Sequence, residues 1–277
     1  MQQLDGRVAI ITGAGSGLGR ATALALAREG VAIVLVGMRT DRLDAVAAEI
    51  AAAGGRSASL SCDVTEVDSY ERMRDLAMER FGRIDIVMNN AAAISVGFPE
   101  DIPLEEWRRI FEVNLIAMVR SNHVMLPILL AQGEGHLVNV GSVDGLYGFG
   151  FDRLPYASSK AAVVTLSEGL ALYLKPRGIG VTCFCPGPIS TNIGESMRMF
   201  GRPIDVHGAG EALEMMPVEI ASAKLVDAIR EDRFLVVSHE VMHDIVRQRA
   251  VDPDAFVDHQ IAHPHILFPS SILGGGA

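Results

Sequence analysis

The sequence predicts an α/β protein, a doubly wound parallel sheet of seven strands with helices on both faces, and three observations carry that prediction. Short apolar, β-branched runs recur along the chain; a helical segment separates each from the next; glycines and small polar residues gather just after the runs. Runs that are apolar throughout, without alternation, are what strands buried on both faces look like. Intervening helices make such a sheet parallel, right-handed crossovers make it doubly wound, and ligands then bind beyond the strands' carboxyl ends.

The first strand is the run at residues 8–11, followed by a glycine-rich loop and a helix over 21–28 that Gly30 closes. A second strand spans 31–36, and its helix, 41–53, stops at Gly54 and Gly55. A weaker strand at 57–62 leads to a helix over 67–81 ended by Gly82, then a strand at 84–88 and a long helical region over 103–130. Strands at 137–140, 181–184 and 234–237 follow, with helices over 156–174 and near 218–230 between them. No glycine-serine or proline-rich linker divides the 277 residues. We expect one domain with a core over about 4–240 and a C-terminal extension, 241–277, that covers the active site or a subunit interface.

Composition excludes some functions before any motif is read. Hydrophobic residues make up 49% of the chain and mean hydropathy is +0.28, as in a well-buried globule. A net charge of −10 with no basic stripe argues against nucleic-acid binding. The first strand starts too soon for a signal peptide, and the longest apolar run, 124–131, is too short to span a bilayer and contains Pro127. Cys62, Cys183 and Cys185 are an odd number in expected strands, which reads as buried thiols and a cytoplasmic protein.

Chemistry concentrates in the loops that follow strands. The first holds Gly13, Gly17 and Gly19, spaced unlike the common G-x-G-x-x-G fingerprint, at the start of a helix. Residues without Cβ there leave helix N–H groups bare for a pyrophosphate, which predicts a dinucleotide site. Tyr156 and Lys160, four apart at the start of a helix, share a face, so an ammonium beside the phenol can lower the phenol's pKa. Ser142, just past a strand, is placed to hydrogen-bond a substrate oxygen that exchanges a proton with Tyr156.

Together these residues resemble the short-chain dehydrogenase/reductase family over about residues 4–240. The matching pieces are Thr12-Gly-Ala-Gly-Ser-Gly-Leu-Gly19, Asp63-Val64, Asn89-Asn-Ala91, Asn114, Ser142, Tyr156-Ala-Ser-Ser-Lys160 and Pro186-Gly-Pro-Ile-Ser-Thr191. The resemblance implies a Rossmann-type fold in which Gly13, Ser16, Leu18 and Gly19 bind the pyrophosphate and Asp63 and Val64 the adenine. It implies further that Asn90 and Lys160 hold the nicotinamide ribose beside Tyr156. The Pro186-Gly187 turn then completes the cofactor site, with Ile189 and Thr191 on the carboxamide. Tyr156 is then the general acid or base, Ser142 orients the substrate, and Asn114 positions a water that links Lys160 to solvent; without the other members Asn114 reads rather as a polar residue that kinks its helix. The chain departs from the family's Asn-Asn-Ala-Gly by carrying Ala92, whose methyl is tolerated where φ is negative.

The implied activity is hydride transfer between a nicotinamide cofactor and a secondary alcohol or its ketone. The alternatives are a cofactor-sensing regulatory protein, against which Tyr156 and Lys160 both speak, and a lyase or dehalogenase, against which the intact glycine loop speaks. After the second strand Gly37 stands where an NAD-preferring enzyme has a carboxylate, and Arg39 is within reach of a 2′-phosphate, so NADP(H) is favoured over NAD(H). Met38 and Ser16, where relatives carry basic residues, point the other way. Leu146, Tyr147, Phe149 and Phe151 precede Tyr156, and the expected lid, 190–216, carries Met197, Met199, Phe200, Leu213, Met215 and Met216. These favour an apolar or aromatic substrate, or else pack on the core or across an oligomer interface.

His239-Glu-Val-Met-His243 matches the zinc-protease pattern, with His259, His263 and His265 as further donors, but it directly follows the last expected strand and no metal is expected. Val241, Ile245 and Val246 suggest a short amphipathic helix, followed by Pro253, Pro264, Pro269 and the apolar 266–268, with a disordered end at 274–277. A homodimer or homotetramer is expected from the resemblance.

Overall fold

The computed structural model describes residues 1–210 and 213–264. Its strands are β1 Val8–Thr12, β2 Ala32–Gly37, β3 Ser57–Ser61, β4 Ile86–Asn89, β5 Ile94–Val96, β6 Gly135–Val140, β7 Ile179–Cys185, β8 Met197–Met199 and β9 Leu235–Val237. Its helices are α1 Gly17–Arg28, α2 Thr40–Ala52, α3 Ser69–Phe81, α4 Leu104–Phe111, α5 Ala117–Gln132, α6 Leu154–Leu174, α7 Val218–Glu231, α8 Val241–Val251 and α9 Pro253–Ala262. Seven strands form one all-parallel sheet in the order β3-β2-β1-β4-β6-β7-β9. The chain builds outward from β1 through β2 to β3, then returns to β1's other side with β4, so the topological switch point lies between β1 and β4.

The alternation along β1 shows why both faces need helices. Ala9 and Ile11 point into a cluster with Leu26 of α1, Leu43 and Ile50 of α2 and Leu225 of α7. Ile10 points the other way, toward Met73 of α3, Met125 of α5 and Leu174 of α6. Every side chain of β1 is buried, because helices take up the strand's period of two on either side.

Most boundaries lie within a residue or two of the expected ones; β6 and β7 each begin two residues earlier. The long region expected over 103–130 is three pieces, with a π-helical turn, Glu112–Ile116, between α4 and α5. That turn is built around buried Asn114, and such turns cluster at functional sites. The run 104–132 is long enough to cross a bilayer, and one 18-residue stretch of it is apolar enough, with mean hydropathy 1.4. Yet Met118, Met125 and Leu129 on one side of it are buried, and Met125 and Leu129 join the core between sheet and helices.

Two strands were not expected: β5 and β8 pair in parallel, tying the loop after β4 to the lid. At three residues each they are too short to stand out by pattern. The helix suggested by Val241, Ile245 and Val246 is α8, and α9 follows from Pro253, with Asp252 capping it through the Ala255 N–H at 2.9 Å. His265, Pro269 and the 266–268 and 274–277 stretches lie outside the described residues.

Candidate active site

The glycine loop is shaped by two close approaches. A Cβ on Gly19 would stand 2.3 Å from the Gly13 carbonyl oxygen and 2.6 Å from Asn90 Nδ2, and Gly13 itself has φ of 66° with Asn90 Nδ2 equally near. Neither position accepts a side chain. Asn90 fixes the loop by donating from Nδ2 to the Thr12 carbonyl at 2.8 Å and from its backbone N–H to Thr12 Oγ1 at 2.9 Å. Ser16 precedes α1 without capping it, and Leu18 is buried behind the loop. The first N–H groups of α1 therefore face the switch point without partners in their own helix, a donor set that suits a pyrophosphate. Ala92 is not among the described residues with positive φ, of which Asp232 is the one that is not glycine, so its methyl sits without strain.

At the adenine end, Asp63 Oδ1 accepts from the backbone and hydroxyl of Thr65 at 2.9 and 2.8 Å, closing a tight turn beside buried Val64. Arg39 lies just past β2, as expected, but it has company. Arg39 and Arg42 both donate to Glu195 Oε2 in the lid, at 2.9 and 2.7 Å, while Asn192 donates to Oε1 at 2.6 Å. Arg42 foremost, and then Asn192, hold the Glu195 carboxyl below the usual carboxylate range. A cleft of about 380 Å³ opens between these elements, lined by Gly15, Ser16, Gly17, Arg42, Ser190 and Asn192. Arg42 and Glu195 escaped the sequence reading; the spacing Arg39-x-x-Arg42 across a helix start was the available signal, whereas Glu195 had none.

The other end is built by β6 and α6. A Cβ on Gly145 would stand 2.6 Å from the Lys160 carbonyl, so the turn after Ser142 lies directly on α6, and the Val143 N–H bonds the Pro186 carbonyl at 2.8 Å. This brings Ser142, Tyr156 and Lys160 together, all buried. Lys160 Nζ donates to the Val140 carbonyl at 2.7 Å and lies 5.7 Å from the centre of the Tyr156 ring. Burial pushes the Lys160 ammonium down to about 8. Contrary to expectation, the Tyr156 hydroxyl lies above its ordinary value: burial is the largest cause and Asp144 the next, while Ser142 and Arg153 oppose them. Asn114 exchanges two bonds with the backbone of Ala93, at 2.8 and 3.0 Å, and donates to Ser159 Oγ at 2.9 Å, which anchors α6 one residue before Lys160.

Behind Ser142 stands a charged cluster that the sequence reading missed. Ser142 Oγ donates to Asp144 Oδ2 and accepts from the Asp144 N–H, each at 3.2 Å. Arg153 Nε lies 4.0 Å from Asp144 Oδ1 and 2.9 Å from Asp152 Oδ1. Asp152 also accepts from the His207 N–H at 2.6 Å, and Arg153 donates to the His207 carbonyl, so the pair grips the lid. Buried charge two residues from Ser142 and three from Tyr156 was visible only as polar letters in an aromatic loop.

That loop and the lid enclose an aromatic surface. Phe151 stacks on Phe98 at 5.8 Å and meets His207 at 4.9 Å, and Tyr147 lies 5.9 Å from Phe149. The C-terminal extension touches this loop: Phe256 of α9 meets Tyr147 edge-on at 6.0 Å, and Arg249 donates to the Leu146 carbonyl. The lid methionines divide. Met216 bonds the Pro188 carbonyl and packs on the core, while Met199 and Met215 are exposed. The lid's root is fixed where Ile189 pairs with Met216, beside Thr191, which packs on Gly17, and Gly187, whose N–H donates to Ser238 Oγ at 2.8 Å.

His239 precedes α8, so the H-E-x-x-H residues do not share a helix face; His239 bonds Ser238 Oγ and the Glu214 carbonyl. Cys62, Cys183 and Cys185 are free and buried.

Comparison with known proteins agrees with this geometry. A family profile described as short chain dehydrogenase matches residues 7–200. A cyclohexanol dehydrogenase of Acinetobacter sp. (strain SE19) is 35% identical over 190 residues, 68% of this chain and 75% of that protein. A 3-oxoacyl-[acyl-carrier-protein] reductase of Synechocystis sp. (strain ATCC 27184 / PCC 6803 / Kazusa) is 30% identical over 220 residues, 75% of this chain and 89% of its own. Among solved structures, a short chain dehydrogenase/reductase from Burkholderia phymatum in complex with NAD superposes with a TM-score of 0.82 at 29% identity, covering 97% of this chain and 99% of that one.

Proposed function

The chain belongs to the short-chain dehydrogenase family and is a nicotinamide-dependent oxidoreductase of alcohols and ketones, and from that premise we propose that it interconverts an apolar or aromatic secondary alcohol and its ketone with NADP(H). The convergence of Ser142, Tyr156 and Lys160 at the same carboxyl end of the parallel sheet as the glycine loop carries this reading. When bound, the nicotinamide supplies or takes the hydride. Tyr156 gives its hydroxyl proton to the substrate oxygen in reduction and takes one back in oxidation, and Ser142 holds that oxygen. Lys160 and Asn90 hold the nicotinamide ribose, Gly13, Ser16, Leu18 and Gly19 the pyrophosphate, and Asp63 and Val64 the adenine. Ile189 and Thr191, after the Pro186-Gly187 turn, take the carboxamide.

Asn114 supports α6 through Ser159 and keeps the water path to Lys160. The aromatic surface of Phe98, Tyr147, Phe149 and Phe151 favours the apolar substrate, in keeping with a cyclohexanol dehydrogenase among the relatives. Arg39 and Arg42 favour the 2′-phosphate of NADP(H).

The same reading takes the chain as one domain whose C-terminal extension, from residue 241, covers the active site or a subunit interface, and three free thiols suit a cytoplasmic protein. Val119 on α5 and Leu172 and Tyr173 on α6 are exposed, an apolar surface that suits a homodimer or homotetramer. A monomer by light scattering excludes that assembly. For the activity, Tyr156→Phe is expected to cut turnover of cyclohexanone with NADPH by about 10²- to 10⁴-fold while leaving cofactor affinity nearly unchanged. Turnover that survives the substitution overturns the mechanism.

A further inference from the structure

A hydroxyl has one proton, and the Ser142 hydroxyl gives its proton to Asp144. The Oγ–H donates to Asp144 Oδ2 while Oγ accepts the Asp144 N–H, a reciprocal pair closed within three residues. A ketone oxygen can only accept, so Ser142 can serve it only when that proton is turned away from Asp144. The geometry points to Asp144 as a positioning residue: as a carboxylate it withholds the Ser142 proton from the substrate oxygen, and as a carboxylic acid it donates to Oγ and releases that proton. Nothing is oxidised or transferred in this step; one proton from solvent sits on Oδ2, and the Ser142 O–H rotates from Asp144 to the substrate.

The surroundings favour the protonated state of Asp144 more than water would. Its side chain is 11% exposed, and burial raises its carboxyl above the usual range, helped by Asp152, against Arg153 and the Ser142 bond. The charged and titratable groups facing it are Arg153 and Asp152 from the segment before α6, Tyr156 and Lys160 from α6, and Tyr147 from its own loop. Arg153 is shared with Asp152, which lies closer to it than Asp144 does, 2.9 against 4.0 Å. Asp144 is thus the carboxylate less well compensated.

The inference rests on Ser142 and Tyr156 acting as proposed above, and the test separates the two. The kcat/KM for cyclohexanone reduction with NADPH is followed against pH in the wild type, Asp144→Asn, Asp144→Ala and Ser142→Ala. The wild type is expected to fall as pH rises through the Asp144 pKa, toward a floor about 100-fold lower, since losing one donor to a developing oxyanion costs about 10²- to 10³-fold. Ser142→Ala lies flat on that floor, and both Asp144 variants lose the limb. Tyr156, which burial raises above its ordinary value, is one competing source of a limb, and Lys160, at about 8, is the other; a limb that survives in both Asp144 variants belongs to one of these two and overturns the inference. Full activity in Ser142→Ala overturns the functional reading itself. Independently of turnover, the Tyr156 phenolate, read by ultraviolet difference against Tyr156→Phe, is expected to form at lower pH in Asp144→Asn, because a negative neighbour is gone. An unmoved midpoint overturns the juxtaposition.

Discussion

The two ends of the cofactor groove each carry an acid-base cluster anchored in the lid, and they differ in solvent exposure. At the adenine end Arg39, Arg42 and Glu195 meet in water, their side chains 52%, 28% and 42% exposed. At the substrate end Asp144, Asp152 and Arg153 meet out of it, at 11%, 0% and 6%. An exposed pair is screened and exchangeable, and another anion can take its place at little cost. A buried one is costly to assemble and costlier to break, because removing one partner leaves a charge without solvent. The first cluster is therefore suited to selection among ligands, and the second to holding a fixed geometry around Ser142 and Tyr156.

The sharpest way to break that contrast is Asp152→Asn. Asp152 takes two guanidinium bonds from Arg153 and the His207 N–H, so neutralising it removes a buried charge that Arg153 holds at 2.9 Å, nearer than the 4.0 Å to Asp144. Breaking a buried pair costs about 3–5 kcal/mol, which in a chain of this size is a fall in Tm of roughly 6–15 °C. Calorimetry reads it directly. A fall within about 2 °C would mean that the buried cluster is as dispensable as the exposed one and that the contrast is empty.

The same difference explains what the sequence revealed. The sheet was legible because inner strands such as β1 and β2 are apolar on both sides, as β1 is with Ala9 and Ile11 on one face and Ile10 on the other. The glycine loop was legible because backbone contact at Gly13 and Gly19 excludes every side chain, leaving a chemical requirement in the letters themselves. Tyr156 and Lys160 were legible because one helix sets their spacing. Asp144, Arg153 and His207, by contrast, meet through a turn, a loop and a lid, and no local spacing encodes that meeting. Glu195 is farther still, 153 residues from Arg42. The shift of Tyr156 also lay beyond sequence, because spacing identifies a neighbouring ammonium but neither the burial nor the Asp144 charge that raises the phenol. The β5–β8 pair was lost for a different reason, being too short to have a period.

The smallest expected effect probes the exposed cluster. Glu195 places a carboxylate on both arginines; on the reading proposed above these would take the 2′-phosphate, so NADP(H) would have to displace Glu195, whereas NAD(H), with a neutral 2′-hydroxyl, would not. Glu195→Gln keeps the Asn192 contact geometrically possible and removes the competing charge. NADPH affinity is then expected to rise about three- to tenfold, the range that a pair of exposed ion pairs supports, and NADH affinity to stay within about twofold. Fluorescence titration of both cofactors gives the ratio. High salt should shrink the gain, since both the ion pairs and the phosphate contact are screened. Arg39→Ala supplies the control: it weakens NADPH more in the Glu195→Gln background than in the wild type, because there the guanidinium is no longer shared. A cofactor ratio that does not move in Glu195→Gln would show that the lid carboxylate and the phosphate use different donors, and would return the selection of cofactor to the turn after β2 alone.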